Sequence, residues 1–131
     1  LGSLREDLIA YTRSLWRYWR ETDAGVAFAA LIAEAQHSDE GKAVLAGSYM
    51  EREDGPSLSA FERARARGEL ADGLTVAQMR EAYVATNWFH LLCGKLDDTA
   101  VSPAIDALLL GMLARNDAPD GNPSRSNGGR Q

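Results

Sequence analysis

Cysteine is almost absent from this sequence: Cys93 stands alone among 131 residues. An internal disulfide and a cysteine-based zinc site are both excluded, and a reducing compartment fits best. Histidine is nearly as scarce, with His37 and His90 the only two. They fall in different predicted helices and have no carboxylate at metal-ligand spacing, so no metal centre is expected. Positive charge is also short, since 14 Lys and Arg against 19 Asp and Glu leave a net charge of -5 at pH 7. Sequence-independent grip on nucleic acid is built from clustered Lys and Arg, so this chain by itself is not expected to hold DNA. No apolar run approaches the roughly 18 residues of a membrane span, and no secretory signal is visible. The chain therefore reads as cytoplasmic, with no membrane partner.

Signatures of catalysis are missing as well. The sequence contains no H-E-x-x-H, no G-x-S-x-G, no Walker A loop and no dinucleotide fingerprint. The paired carboxylates Glu51 with Glu53 and Asp97 with Asp98 fall at helix ends and loops, where capping and solvation account for them. Cys93 lies near a predicted helix C-terminus, the wrong end for lowering a thiol pKa. No catalytic residue and no cofactor is expected. Strand-like alternation with a period of two is absent too, which leaves an all-α fold.

What the sequence does have is a succession of punctuated amphipathic segments. Ser3 and Glu6 form a capping box ahead of Leu4, Leu8, Tyr11, Leu15 and Trp19, predicting a helix from about Leu4 to Arg20. Thr22 or Asp23 caps a second helix carrying Val26, Phe28, Leu31, Ile32 and Ala35, ending near His37. Ser38, followed by Asp39 and Glu40, opens a third with Val44, Leu45, Tyr49 and Met50. Pro56 is placed to start a fourth, which buries Leu58, Phe61 and Ala64 and runs to Arg67. Gly68 supplies the left-handed residue that closes it, and Thr75 with Gln78 forms a capping box for a fifth helix from Val76 to Cys93. A sixth contains Ile105, Leu108, Leu109, Leu110, Met112 and Leu113. Starting it at Ser102, with Pro103 in the first position, costs less than a start at Asp98 that would place the proline inside. The run NDAPDGNPSRSNGGRQ that follows Arg115 has no apolar anchor and reads as a disordered tail, residues 116–131. Residues 1–115 are then one domain, a bundle of about six antiparallel helices.

Two sets of residues stand out within that bundle. Trp16, Trp19, Phe28, Tyr49, Phe61 and Tyr83 come from five predicted helices, and such large side chains either fill a core or line a pocket. Asn87 and His90 favour the pocket, because buried amide and imidazole groups need partners that a ligand can supply. These eight are the candidate ligand-binding residues. The second set is apolar over more than one helix face: Val84, Trp88, Leu91 and Leu92 in the fifth helix, with Ile105, Leu108, Leu109 and Met112 in the sixth. A helix hydrophobic around most of its girth must be covered. These two helices could form the centre of a monomeric bundle, but because both are doubly apolar the expected cover is a second subunit, with these eight residues as the dimer interface of an intersubunit four-helix bundle and the chain as a homodimer.

The SLREDL opening, the FERARARGEL helix end, the ADGLTVAQMREAYVATNWFHLL helix and the GKLDD turn before a last apolar helix together resemble the C-terminal regulatory domain of TetR/AcrR-type transcriptional repressors. The resemblance runs from Leu4 to about Arg115. It implies a small, often hydrophobic effector bound inside the bundle and dimerisation through the last two helices. It also implies an N-terminal helix-turn-helix head that contacts operator DNA. That head is expected to lie outside this chain, which would then be a domain fragment, so that DNA is a partner of the parent protein only. Two other readings remain open at this point. One is a helical protein-interaction module without a small-molecule ligand, and the other is a small helical enzyme using Tyr83, Asn87 and His90.

Overall fold

The structure, a computed structural model, describes residues 2–50 and 55–114, with no side chains for 48–50. Among the described residues it is all-helical: α1 (Leu4–Glu21), α2 (Ala24–Ala35), α3 (Asp39–Met50), α4 (Pro56–Ala66), α5 (Val76–Leu92) and α6 (Val101–Leu109), with one 3-10 turn at Asp98–Ala100. The run expected to be a disordered tail lies outside the described residues. No helix among those described is long and apolar enough to cross a membrane.

The helix ends follow the local chemistry of the sequence. Ser3 accepts from the Glu6 N–H at 3.1 Å, and Thr75 and Gln78 exchange reciprocal bonds of 3.0 and 2.9 Å at the start of α5. Ser38 accepts from the Gly41 N–H at 2.9 Å and caps α3. Thr22 serves two helices, donating to the Tyr18 carbonyl and accepting from the Ala24 N–H. Asp23 caps nothing with its side chain. At the end of α4 Gly68 takes φ 77°, and the Gly68 and Glu69 N–H groups return to the carbonyls of Arg65 and Ala64, both at 3.0 Å. This paired closure is open to glycine because no Cβ resists the left-handed backbone.

α1 is the axis of the fold and packs against α2, α4, α5 and α6. Leu4, Leu8, Thr12, Trp16 and Trp19 form its buried stripe at three- and four-residue spacing. Salt bridges place α4 and α6 antiparallel to it: Asp7 meets Arg63 at 3.2 Å, while Arg5 and Arg20, near opposite ends of α1, meet Asp106 and Asp98 at 2.6 and 3.3 Å. α5 runs parallel to α1 instead, as their paired hydrogen bonds below show. α2 crosses the end of α1 closely, since a methyl on Gly25 would sit 2.5 Å from the Trp19 carbonyl oxygen.

The last helix departs from the sequence expectation at both ends. It begins at Val101 rather than Ser102, behind the 3-10 turn, whose cap is Asp97 rather than Asp98. Pro103 remains within the first turn, where its missing N–H has no helical partner to lose. At the other end the helix stops at Leu109, so Met112 and Leu113 are not helical. Gly111 weakens a helix at that point, and the chain gains a better arrangement by turning. Leu113 pairs antiparallel with Leu70, Ala71 donates to the Met112 carbonyl at 2.7 Å, and Ala114 donates to the Glu69 carbonyl at 2.8 Å. The Glu69 carboxylate meanwhile accepts the Leu4 N–H at 3.0 Å. One residue thus joins the start of α1, the α4–α5 turn and the stretch after α6.

The tight crossing at Gly25 gives a direct test. Gly25→Ala is expected to destabilise the fold by about 1–3 kcal/mol, the usual range for inserting a methyl group into a closely packed contact, read as a lower urea midpoint with an unchanged slope.

Candidate functional site

A cavity of about 410 Å³ opens between α1, α2, α5 and the start of α4. This is within the usual range for small-molecule sites, roughly 300–1,000 Å³. α1 contributes Tyr11, Leu15, Tyr18 and Trp19, which recur at helical spacing on one face. α5 contributes Arg80, Tyr83, Val84, Asn87 and Trp88 by the same rule. Ala24 and Phe28 of α2 close one side, and Gly55, Pro56 and Ser57 close another.

Much of the wall is aromatic and interlocked. Trp19 stacks on Phe28 with ring centres 5.9 Å apart, and Phe28 meets Trp88 edge-on at 5.6 Å. Tyr11 and Tyr83 lie 6.3 Å apart across the α1–α5 seam. Contacts of this kind add about 0.5–1.5 kcal/mol each beyond the area they bury and hold the rings in place.

Beneath this wall lies a pair of buried hydrogen bonds. Thr12 Oγ1 and Tyr83 Oη are 2.6 Å apart, and one turn further along both helices Trp16 Nε1 donates to Asn87 Oδ1 at 2.7 Å. Asn87 also donates through Nδ2 to the Tyr83 carbonyl at 3.2 Å. Both rungs ascend together in residue number, which makes α1 and α5 parallel. Burial pushes the Tyr83 phenol up to about 12, against the lowering effect of its bonds to Thr12 and Asn87. The phenol therefore stays protonated and works as a hydrogen-bonding group.

The candidate ligand residues separate into two layers. Trp19, Phe28, Tyr83 and Asn87 line the cavity. Trp16, Phe61 and His90 do not: Trp16 and Phe61 are fully buried behind the wall, Phe61 meets Tyr83 edge-on at 6.2 Å, and His90 stacks on Trp16 at 4.6 Å. His90 Nδ1 lies 2.9 Å from the Thr86 carbonyl, a partner that can only accept, so this nitrogen carries the proton. The side chain of Tyr49 lies outside the described residues. Tyr11, Leu15, Tyr18, Ser57 and Arg80 were not anticipated. For Arg80 a signal existed, since a charged residue three and four positions before Tyr83 and Val84 must share their face.

The second candidate set divides as well. Val84 and Trp88 are half-buried and face the cavity. Leu91, Ile105, Leu109 and Met112 are buried in the core of this single chain. α5 packs on α4 and α1, and α6 packs on α1 and α5, which the periodicity of α5 and α6 alone could not reveal. Leu108 is half-buried, and Leu92 is exposed. The exposed large apolar side chains of this region are Phe89, Leu92 and Leu110, at 52%, 51% and 86% exposure.

Among the described residues no group of three or more His, Cys, Asp or Glu side chains is arranged to hold a metal ion. Cys93 is exposed.

The buried phenol gives a prediction with a definite sign. Below pH 10 the group is protonated in both states; above it the unfolded chain loses the proton first, so stability falls as pH rises from about 10 to 12. Tyr83→Phe is expected to remove this part of the alkaline loss, measured as the difference between the two proteins' urea midpoints across that range.

No curated protein and no solved structure matches the chain. Residues 1–108 match the family model described as Tetracyclin repressor-like, C-terminal domain.

Proposed function

We infer from the tetracyclin repressor-like C-terminal domain family, to which this chain belongs, that it is the effector-sensing and dimerisation domain of a transcriptional regulator. The observation that carries this reading is the cavity of about 410 Å³ with interlocked aromatic walls from α1, α2 and α5. Its shape and lining suit a small planar or apolar effector. The chain supplies no catalytic role in this reading. Tyr83 is held protonated, and Asn87 and His90 are committed to partners within the fold.

The effector acts on a DNA-binding head by population shift. α1 carries the cavity wall at Trp19 and meets Glu69 at its first turn, so two packings of α1 against α4 and α5 would place the head differently. An effector can change operator affinity only by its differential affinity for those packings. A 100-fold preference supplies about 2.7 kcal/mol. A homodimer sets the distance between the two heads, and the exposed side chains Phe89 and Leu92, about one helical turn apart on α5, are the contact we assign to it, together with the exposed Leu110 just past the end of α6.

Two measurements test this reading. Planar apolar compounds screened by quenching of tryptophan emission are expected to yield binders whose affinity falls about tenfold or more in Phe28→Ala, with the oligomeric state unchanged. Binding that is the same in Phe28→Ala and Tyr11→Ala would remove the cavity assignment. Separately, Leu92→Asp is expected to shift sedimentation from dimer to monomer without loss of helicity, and a protein that stays dimeric would remove the contact assignment.

A further inference from the structure

Resting on the ligand-binding reading above, we propose that Trp88 sets the length of the effector: it closes one end of the cavity, which then takes a compact planar compound and gains nothing from a long apolar chain attached to it. A second hollow of about 330 Å³ lies on the other side of this residue, between α5, α3 and the end of α2. Leu45 and Ala46 of α3 and Ala85 of α5 give it apolar walls, beside Gln36, Lys42 and Glu81. Among the described residues, Val84 and Trp88 line both hollows. They stand about one helical turn apart on a single stripe of α5, so the divider between the two spaces is made of their side chains.

Of the pair, Trp88 is the one that reaches across. Its indole extends from α5 to meet Phe28 of α2 edge-on at 5.6 Å, whereas a valine side chain ends close to its own backbone. Phe28 is in turn stacked on Trp19 at 5.9 Å, and Trp88 has a further interaction within the protein, so the ring is anchored by more than one contact. A ligand chain that arrives at this ring has two courses. It can push the indole out of its contacts and forfeit them, or it can turn out through the mouth of the cavity into water, where its methylenes bury nothing. Neither course adds affinity. Without the indole the chain would run on into the second hollow, and each methylene taken from water there is worth about fourfold in affinity.

The test is calorimetric titration of the 131-residue chain at pH 7 with the methyl, butyl and hexyl esters of 4-hydroxybenzoic acid, uncharged compounds that share one flat ring and differ in chain length. In the unaltered protein the hexyl ester is expected to bind no more than about twofold more tightly than the butyl. In Trp88→Ala it is expected to bind about tenfold or more tightly than the butyl, as the added methylenes enter the second hollow. Leu15→Ala enlarges the cavity at a residue that does not line the second hollow, and it should leave the two esters within about twofold of each other. A tenfold hexyl preference already present in the unaltered protein, or equally strong in Leu15→Ala, overturns the assignment to Trp88 and leaves the cavity reading in place. So does a folded Trp88→Ala protein that binds butyl and hexyl esters alike. If Trp88→Ala fails to fold by circular dichroism, the chain-length profile of the unaltered protein decides: a level profile from butyl to hexyl supports the divider, and a rising one overturns it. Failure of all three esters to bind removes both the divider and the cavity reading.

Discussion

Two buried hydrogen bonds, Thr12 with Tyr83 and Trp16 with Asn87, fix how α5 lies on α1. Polar atoms this deep cost several kcal/mol in aggregate if left unmatched, because they have given up water. A slip of α5 along α1 by one turn would place Tyr83 opposite Trp16 and orphan Thr12. The apolar contacts around the seam favour burial in general; the two rungs choose one register. The parallel arrangement of α1 and α5 follows from it, although the two helices are separated in the chain by three others.

The cavity is a by-product of the same register. With Tyr83 and Asn87 turned toward α1, the neighbouring positions on each helix, Trp19 on one and Val84 and Trp88 on the other, flare away from the seam. Phe28 props them open through its contacts with Trp19 and Trp88. The walls of the hollow are therefore rings held in position by one another, which would lower the ordering cost for a ligand that binds as proposed.

The sequence was most readable where physics is local. Capping pairs, a helix-closing glycine and the proline at the head of α4 marked nearly every helix boundary within a residue or two. It was least readable where one apolar stripe could be covered by either of two partners. Leu91, Ile105, Leu109 and Met112 look like contact residues when α5 and α6 are considered alone, yet they are buried within the chain, where α1 packs on both helices and α4 on α5. The end of α6 was missed for a related reason. Gly111 only permits a turn, and the pairing of Leu113 with Leu70 that exploits it joins residues far apart in sequence. The candidate pocket was half legible: aromatics announced that a wall existed, but which of them faced inward depended on the α1–α5 register. Trp16 and Phe61 ended behind the wall, and Tyr11 and Arg80 ended on it.

Glu69 holds the first turn of α1 with its carboxylate and the stretch after α6 with its backbone carbonyl. The two extremities of the described chain are thereby fastened at a single knot rather than left to fray independently. Whatever loosens the α4–α5 turn releases both, so the amide protons of Leu4 and Ala114 would exchange with solvent in one shared opening event, with the residues between them still protected.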